Sequence, residues 1–204
     1  MAILSSSTSL SFYRVDPPFT EEILSRLEEG LQKYTISDID GDSTDSVFGW
    51  TSQKNPFQPD FSDRSFGIGN YFVFSLRIDK KNIPVNVFKK YMAIETEKRL
   101  QLSGNDRLSK EEKRNIADAV RNNLLVRIPS SPNIFDVFWN YEEQIVYLCS
   151  VSKAVNEIFE TLFKRTFKTT ITRFFPYTTA FYKGELSPEE LDSLYSLQAT
   201  SLKG

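Results

Sequence analysis

Apolar and polar residues alternate in several short stretches of this chain, which is the pattern of strands with one buried face. The clearest run is residues 71–78, where every second residue is a large apolar one. Residues 134–139 and 144–150 are separated by the four residues Asn140–Glu143, which predicts a β-hairpin. The predicted strands are residues 9–15, 47–50, 71–78, 134–139, 144–150 and 169–175.

Elsewhere the apolar residues recur every three or four positions, which is the period of an amphipathic helix. Residues 152–164 carry the strongest such stripe, formed by Val155, Ile158, Phe159, Leu162 and Phe163. An earlier helix begins at Thr20, its predicted N-cap. Its apolar face consists of Ile23, Leu24, Leu27, Leu31 and Tyr34. A last helix is predicted to begin at Ser187, where a serine, a proline and two glutamates follow one another.

Two further helices are predicted in the middle of the chain. The first runs from Asn86 to Leu102 and ends at the turn residues 103–106. The second opens with Ser109 and Glu112, which have the spacing of a capping box. Its inward positions are Ile116, Val120 and Leu124.

This order of elements predicts an α+β protein in which antiparallel strands pack with helices. A single domain is expected over residues 1–204, because a chain of this length can bury one sizeable core. Within it, residues 1–80 and 128–204 form a body of sheet and helices. Residues 81–127 protrude from that body, with the basic helical pair at about 86–127.

The composition excludes several kinds of site. The chain has 204 residues with no histidine and one cysteine, Cys149. Catalytic triads and cysteine–histidine pairs are therefore excluded, and a zinc site nearly so. No disulfide can form within the chain, which fits a reducing cytoplasm. The chain shows neither a signal peptide nor an apolar run of the roughly 20 residues that a membrane span needs. We expect no cofactor and no metal.

Charge is distributed unevenly. Residues 77–127 carry thirteen basic and seven acidic side chains, a net charge of +6, whereas the whole chain carries −2. Basic surfaces attract polyanions, and phosphate contacts need point charges rather than base-shaped pockets. On the second helix of the pair, three cations fall within an arc of about 40°. The predicted DNA-binding residues are Lys80, Lys81, Lys89, Lys90, Lys110, Arg114, Arg121 and Arg127.

Simpler explanations exist for each candidate feature. The basic helices could be solvated faces with internal ion pairs, such as Glu95 with Arg99 and Arg114 with Asp118. The acidic stretch 38–45 lacks the glycine and glutamate that an EF-hand requires, so a solvated loop is expected there. The aromatic residues of the β-hairpin fit core packing better than stacking on bases. They are Phe135, Phe138, Trp139 and Tyr141.

Several short motifs follow one another over about residues 9–167 and include the lysine-rich helical pair. They are Tyr13-Arg14-Val15, Gly49-Trp50, Arg77 to Lys81, Ile83-Pro84, Val87, Lys89, Leu124-Leu125, Arg127, Cys149 and Ser152-Lys153. Taken in this order and spacing, they resemble the recombination-associated protein RdgC family of bacterial DNA-binding proteins.

This resemblance implies an α+β fold, a ring-shaped homodimer around double-stranded DNA, and antagonism of recombinase filaments. It implies no established catalysis, although family members are sometimes labelled exonucleases. Lys81, Lys89 and Arg127 are the matching cations for phosphate contact. The family is longer, and its C-terminal part supplies one contact of the ring. The phenylalanine that the family places at its dimer gate has no counterpart in residues 124–129.

The leading hypothesis is a non-enzymatic, sequence-tolerant DNA-binding protein that modulates recombination by coating or encircling duplex DNA. It would reside in the cytoplasm, at the nucleoid. The alternative hypothesis is a protein–protein interaction module on the same scaffold, without nucleic acid.

Overall fold

The computed structural model describes residues 9–16, 21–62, 65–104 and 106–175, together with positions 178, 179, 186, 187, 189, 190, 192 and 193; the side chains of 21–25 are excepted. Within these residues it has four helices and seven strands. The strands are β1 (Ser11–Asp16), β2 (Ser46–Thr51), β3 (Gly67–Ile68), β4 (Tyr71–Lys80), β5 (Ser131–Asn140), β6 (Ile145–Leu148) and β7 (Thr170–Arg173). The helices are α1 (Glu21–Lys33), α2 (Val85–Ser103), α3 (Lys110–Arg127) and α4 (Lys153–Phe167).

All the strands belong to one curled antiparallel sheet with the order β2-β4-β5-β6-β1-β7, and β3 pairs with the start of β4. The predicted α+β class and the β5–β6 hairpin are confirmed. The position of β1 could not be read from the sequence, because its partners β6 and β7 lie more than 120 residues further along the chain. Thr20, the side chains of Ile23 and Leu24, and most of the helix predicted after Ser187 lie outside the described residues.

Helices α1 and α4 cover one face of the sheet and enclose an aromatic core. Trp50 and Trp139 are both fully buried, and each contacts phenylalanine rings of α4. The indole N–H of Trp50 also donates a hydrogen bond of 2.8 Å to the Thr166 hydroxyl. Of the 17 phenylalanines, seven are buried in this way among the described residues, and the burial of Trp139 excludes it from base stacking. None of the helices in the described part of the chain is long and apolar enough to cross a bilayer.

Gly49 lets another segment approach strand β2 closely. A Cβ atom at this position would lie 2.6 Å from both the Cα and the N of Ile36. The Ile36 amide donates to the Trp50 carbonyl at 3.0 Å, and the Trp50 amide donates to the Tyr34 carbonyl at 2.9 Å. The chain leaving α1 is therefore fixed along the outer edge of β2.

Lys81 joins the body of the protein to the end of α3. Its side chain is 5% exposed, and its ammonium donates to the carbonyl oxygens of Ile39 at 2.6 Å, Asp42 at 2.8 Å and Leu125 at 2.9 Å. An ammonium has three hydrogens, so all its donors are used. The Leu125 carbonyl needs such a donor, because the residue four positions later is Pro129, which has no N–H.

The acidic loop, residues 38–45, completes this junction. The Asp40 carboxylate accepts a hydrogen bond of 2.8 Å from the Ser130 amide, just beyond α3. Asp45 forms a salt bridge of 3.0 Å with Arg121. The loop is thus more than a solvated connection: together with Lys81 it makes the α3 clasp, which holds the C-terminal end of α3. In the described residues no three acidic, cysteine or histidine side chains converge in a way that would hold a metal.

The clasp makes Lys81 essential for stability. Lys81→Met leaves three carbonyls without their donor, two of them on buried residues, and we expect a loss of about 3 kcal/mol in the free energy of unfolding. The measurement is urea denaturation followed by circular dichroism. Lys80→Met is the matched control, because Lys80 is exposed and its replacement should change stability by less than about 0.5 kcal/mol. Equal stability of the two variants would contradict this role of Lys81.

The clasp also predicts acid sensitivity at Asp40. The hydrogen bond from the Ser130 backbone holds the pKa of this carboxyl below its ordinary value of 3.8. The stability it contributes is therefore present above pH 4 and lost as the pH falls through the lowered folded-state pKa. Between pH 6 and pH 3, Asp40→Asn should lose less unfolding free energy than the wild type does, as measured by denaturant titration. Asp106→Asn, at an exposed aspartate between α2 and α3, should behave like the wild type.

Candidate nucleic-acid interface

Local sequence signals define both ends of the helical pair, α2 and α3. Pro84 precedes α2 in an extended conformation, and α2 ends at Gly104, whose φ of 65° is left-handed and favours glycine. At the start of α3 the Ser109 hydroxyl accepts from the Glu112 amide at 3.2 Å. The Glu112 carboxylate accepts from the Ser109 amide at 2.9 Å. The predicted capping box is confirmed, and the predicted bounds of α2 are correct to within one residue.

The helical pair contributes little to the core. Helix α2 packs along α3 and has no buried residue. In α3, Val120, Leu124 and Leu125 are buried near the clasp, whereas Ile116 is half-buried. Between the helices an open cleft of about 350 Å³ is lined by Glu95, Lys98, Arg99, Leu102, Glu112, Asn115, Ile116 and Ala119.

Three predicted cations form a stripe along α3. Lys110, Arg114 and Arg121 are all exposed and occupy one side of the helix. This side faces away from α2, because the α3 residues in the cleft lie on the opposite side of the helical wheel. Arg121, with 56% of its side chain exposed, shares its charge with Asp45.

Lys89 and Lys90 lie in the first turns of α2 and are also exposed. On the helical wheel each lies about 130° from the mean direction of the cleft residues of α2, so they project away from α3. The Lys90 ammonium lies 5.7 Å from the centre of the Tyr91 ring. The structure therefore does not gather the cations of the pair on one side of a single chain: two groups project outward in opposite directions.

The remaining predicted residues lie at the base of the pair. Lys80 ends β4 and Arg127 ends α3, and both are exposed. Lys81 is different, since the clasp uses all of its donors and leaves none for a phosphate.

The ion pairs expected for simple solvated helices do not form. Among the described residues, neither Glu95 with Arg99 nor Arg114 with Asp118 makes a salt bridge within 4.0 Å.

A further basic cluster lies on the body, where the C-terminal ends of α1 and α4 converge. The Lys33 ammonium is 5.8 Å and the Arg165 guanidinium 5.0 Å from the centre of the Tyr34 ring. A hydrogen bond from Arg165, with the charges of Lys33 and Lys168, lowers the pKa of the Tyr34 phenol. This cluster is not evident from the sequence, because its two parts, Lys33-Tyr34 and Arg165 with Lys168, are about 130 residues apart. Basic residues in the last turns of two amphipathic helices were the available signal.

A family model described as "Putative exonuclease, RdgC" matches residues 8–180, which include every strand and helix named above. A search among curated proteins gives no match. The family match extends over most of the chain and agrees with the resemblance seen in its short motifs. This protein belongs to the RdgC family.

Proposed function

We propose that this RdgC-family protein binds duplex DNA through its phosphates, with little preference for sequence and without cleaving it. Membership of the family is the observation that carries this proposal. The chemistry of the helical pair supports it, because seven of the eight predicted cations are exposed. Lysine and arginine on exposed helix faces supply affinity for phosphates without reading bases.

The arrangement of these cations favours binding by an assembly. The stripe on α3 and the lysines of α2 project in opposite directions, so one straight duplex cannot lie against both on a single chain. In a homodimer, a face of one protomer can be completed by a face of its partner. We therefore propose a dimer that holds or encircles DNA at the nucleoid and hinders recombinase filaments.

The first experiment is a titration of a duplex of random sequence at rising salt. The logarithm of the binding constant should fall linearly with the logarithm of salt concentration, with a slope of about −0.9 for each phosphate neutralised. Lys110→Gln with Arg114→Gln should make the slope less steep by about 1.8. Lys54→Gln with Lys153→Gln removes the same charge outside the helical pair and should leave the slope unchanged. A wild-type affinity that does not respond to salt would contradict the proposal.

The family description as an exonuclease calls for a separate test. Hydrolysis of DNA by paired metal ions requires several converging carboxylates. In the acidic loop, Asp40 is bound to the Ser130 amide and Asp45 to Arg121. We therefore expect an end-labelled duplex to remain intact during incubation with the protein and Mg²⁺. Shortened products that disappear with Asp40→Asn and Asp42→Asn would instead establish an exonuclease.

An interaction module remains the second candidate, because α2 carries exposed apolar side chains. Val85, Ile94 and Leu102 are 66%, 47% and 75% exposed. Apolar residues on a helix without buried side chains are typical of a surface that a protein partner covers. On this hypothesis, Ile94→Ser combined with Leu102→Ser abolishes association with the protein partner. In the DNA titration, Lys110→Gln combined with Arg114→Gln then leaves the salt dependence of binding unchanged.

A further inference from the structure

Around β2, a row of basic and aromatic side chains extends from Lys80 at the end of β4 to the C-terminal ends of α1 and α4. We propose that this row, the edge stripe, is a second contact for the phosphate backbone of nucleic acid. The proposal rests on the DNA binding proposed above and adds a site on the body of the protein. The edge stripe consists of Lys80, Phe48, Tyr34, Arg165, Lys33 and Lys168.

One end of the edge stripe is the cluster around Tyr34. Lys33 and Arg165 lie over the ring of Tyr34, and the charge of Lys168 also lowers the pKa of this phenol. Tyr34 is only half-buried. No carboxylate of the described residues forms a salt bridge within 4.0 Å with Lys33, Arg165 or Lys168. Three concentrated positive charges without a fixed counter-ion form an attractive site for a polyanion.

The backbone holds this cluster in place. The Tyr34 carbonyl accepts the Trp50 amide, and Gly49 allows the close approach described above. On the other side, Gly30 of α1 lies against Thr166 of α4, so the ends of the two helices are locked together. The cations therefore project from a rigid platform, which lowers the ordering cost of binding.

The other end of the edge stripe is Lys80, opposite Ser46 in the β2–β4 register. Ser46 and Trp50 are four residues apart, which is about 14 Å along an extended strand. Phe48 lies between them on the same side of the sheet and is 41% exposed. A DNA strand has one phosphate per 3.4 Å of helix axis, so about four phosphates span this distance. At the Lys80 end, Asp45 is already paired with Arg121 and Asp79 with Arg77.

The simpler explanation is that cations at helix C-termini only offset the helix dipole. Lys168 argues against it. This residue ends α4 with a left-handed φ of 55°, a conformation in which glycine is usual and a lysine is strained. A lysine at such a position is unfavourable for the backbone, which suggests that its charge has a use beyond the fold.

The salt titration tests this proposal with Lys33→Gln, Arg165→Gln and Lys168→Gly combined. The slope should become less steep by about 0.9 for each phosphate that the variant no longer neutralises. Lys168→Gly alone should weaken binding at low salt while the melting temperature stays equal or rises, because glycine relieves the left-handed strain. A merely structural lysine would give the change in melting temperature without the loss of affinity.

Two controls separate charge from backbone. Lys153→Gln removes a cation from the opposite end of α4, and Gln144→Gly relieves the other left-handed non-glycine residue of the described chain, with φ of 60°. Both should keep the wild-type slope. If the triple variant keeps that slope, or if Lys153→Gln weakens binding as much as Lys168→Gly, the edge stripe is not a site. Absence of binding by the wild type would instead overturn the proposed function itself.

Discussion

The attachment of the helical pair to the body of this protein depends on one buried ammonium group. Lys81 leaves the last strand before the helical pair and reaches the carbonyl that Pro129 leaves without a donor at the end of α3. The same group binds two carbonyls of the acidic loop. Three segments that are distant in the chain therefore meet at one atom. A positive charge also suits this place, because the C-terminal end of a helix carries a partial negative charge.

The clasp matters because the helical pair has few other attachments. Helix α2 buries no side chain, and α3 buries its apolar residues only near the clasp. Helices in proteins gain most of their stability from packing against the rest of the structure. A helical pair with few such contacts therefore relies strongly on those that it has. The direction in which the cations of α2 and α3 project is therefore set largely by the junction at Lys81, Asp40 and Ser130. Lys81, which the sequence analysis predicted to contact phosphate, uses its three donors within the protein and so helps to orient the exposed cations of α2 and α3.

The two proposals assign DNA contacts to three groups of cations: those of α3, those of α2 and the edge stripe. The cations of α2 and α3 project in opposite directions, and the DNA contact proposed above therefore involves a second protomer.

The sequence by itself determined the local elements and the family. The apolar stripe of α4, the capping box of Ser109 and Glu112 and the β5–β6 hairpin all depend on residues a few positions apart, and their patterns are therefore visible in the chain. Tertiary structure decided the rest. Lys81 and Lys80 are neighbours of the same type, yet only the first finds three carbonyls, and these come from segments about 40 residues away on either side. The cluster around Tyr34 exists only because α1 and α4 end at the same edge of the sheet, which long-range strand pairing settles.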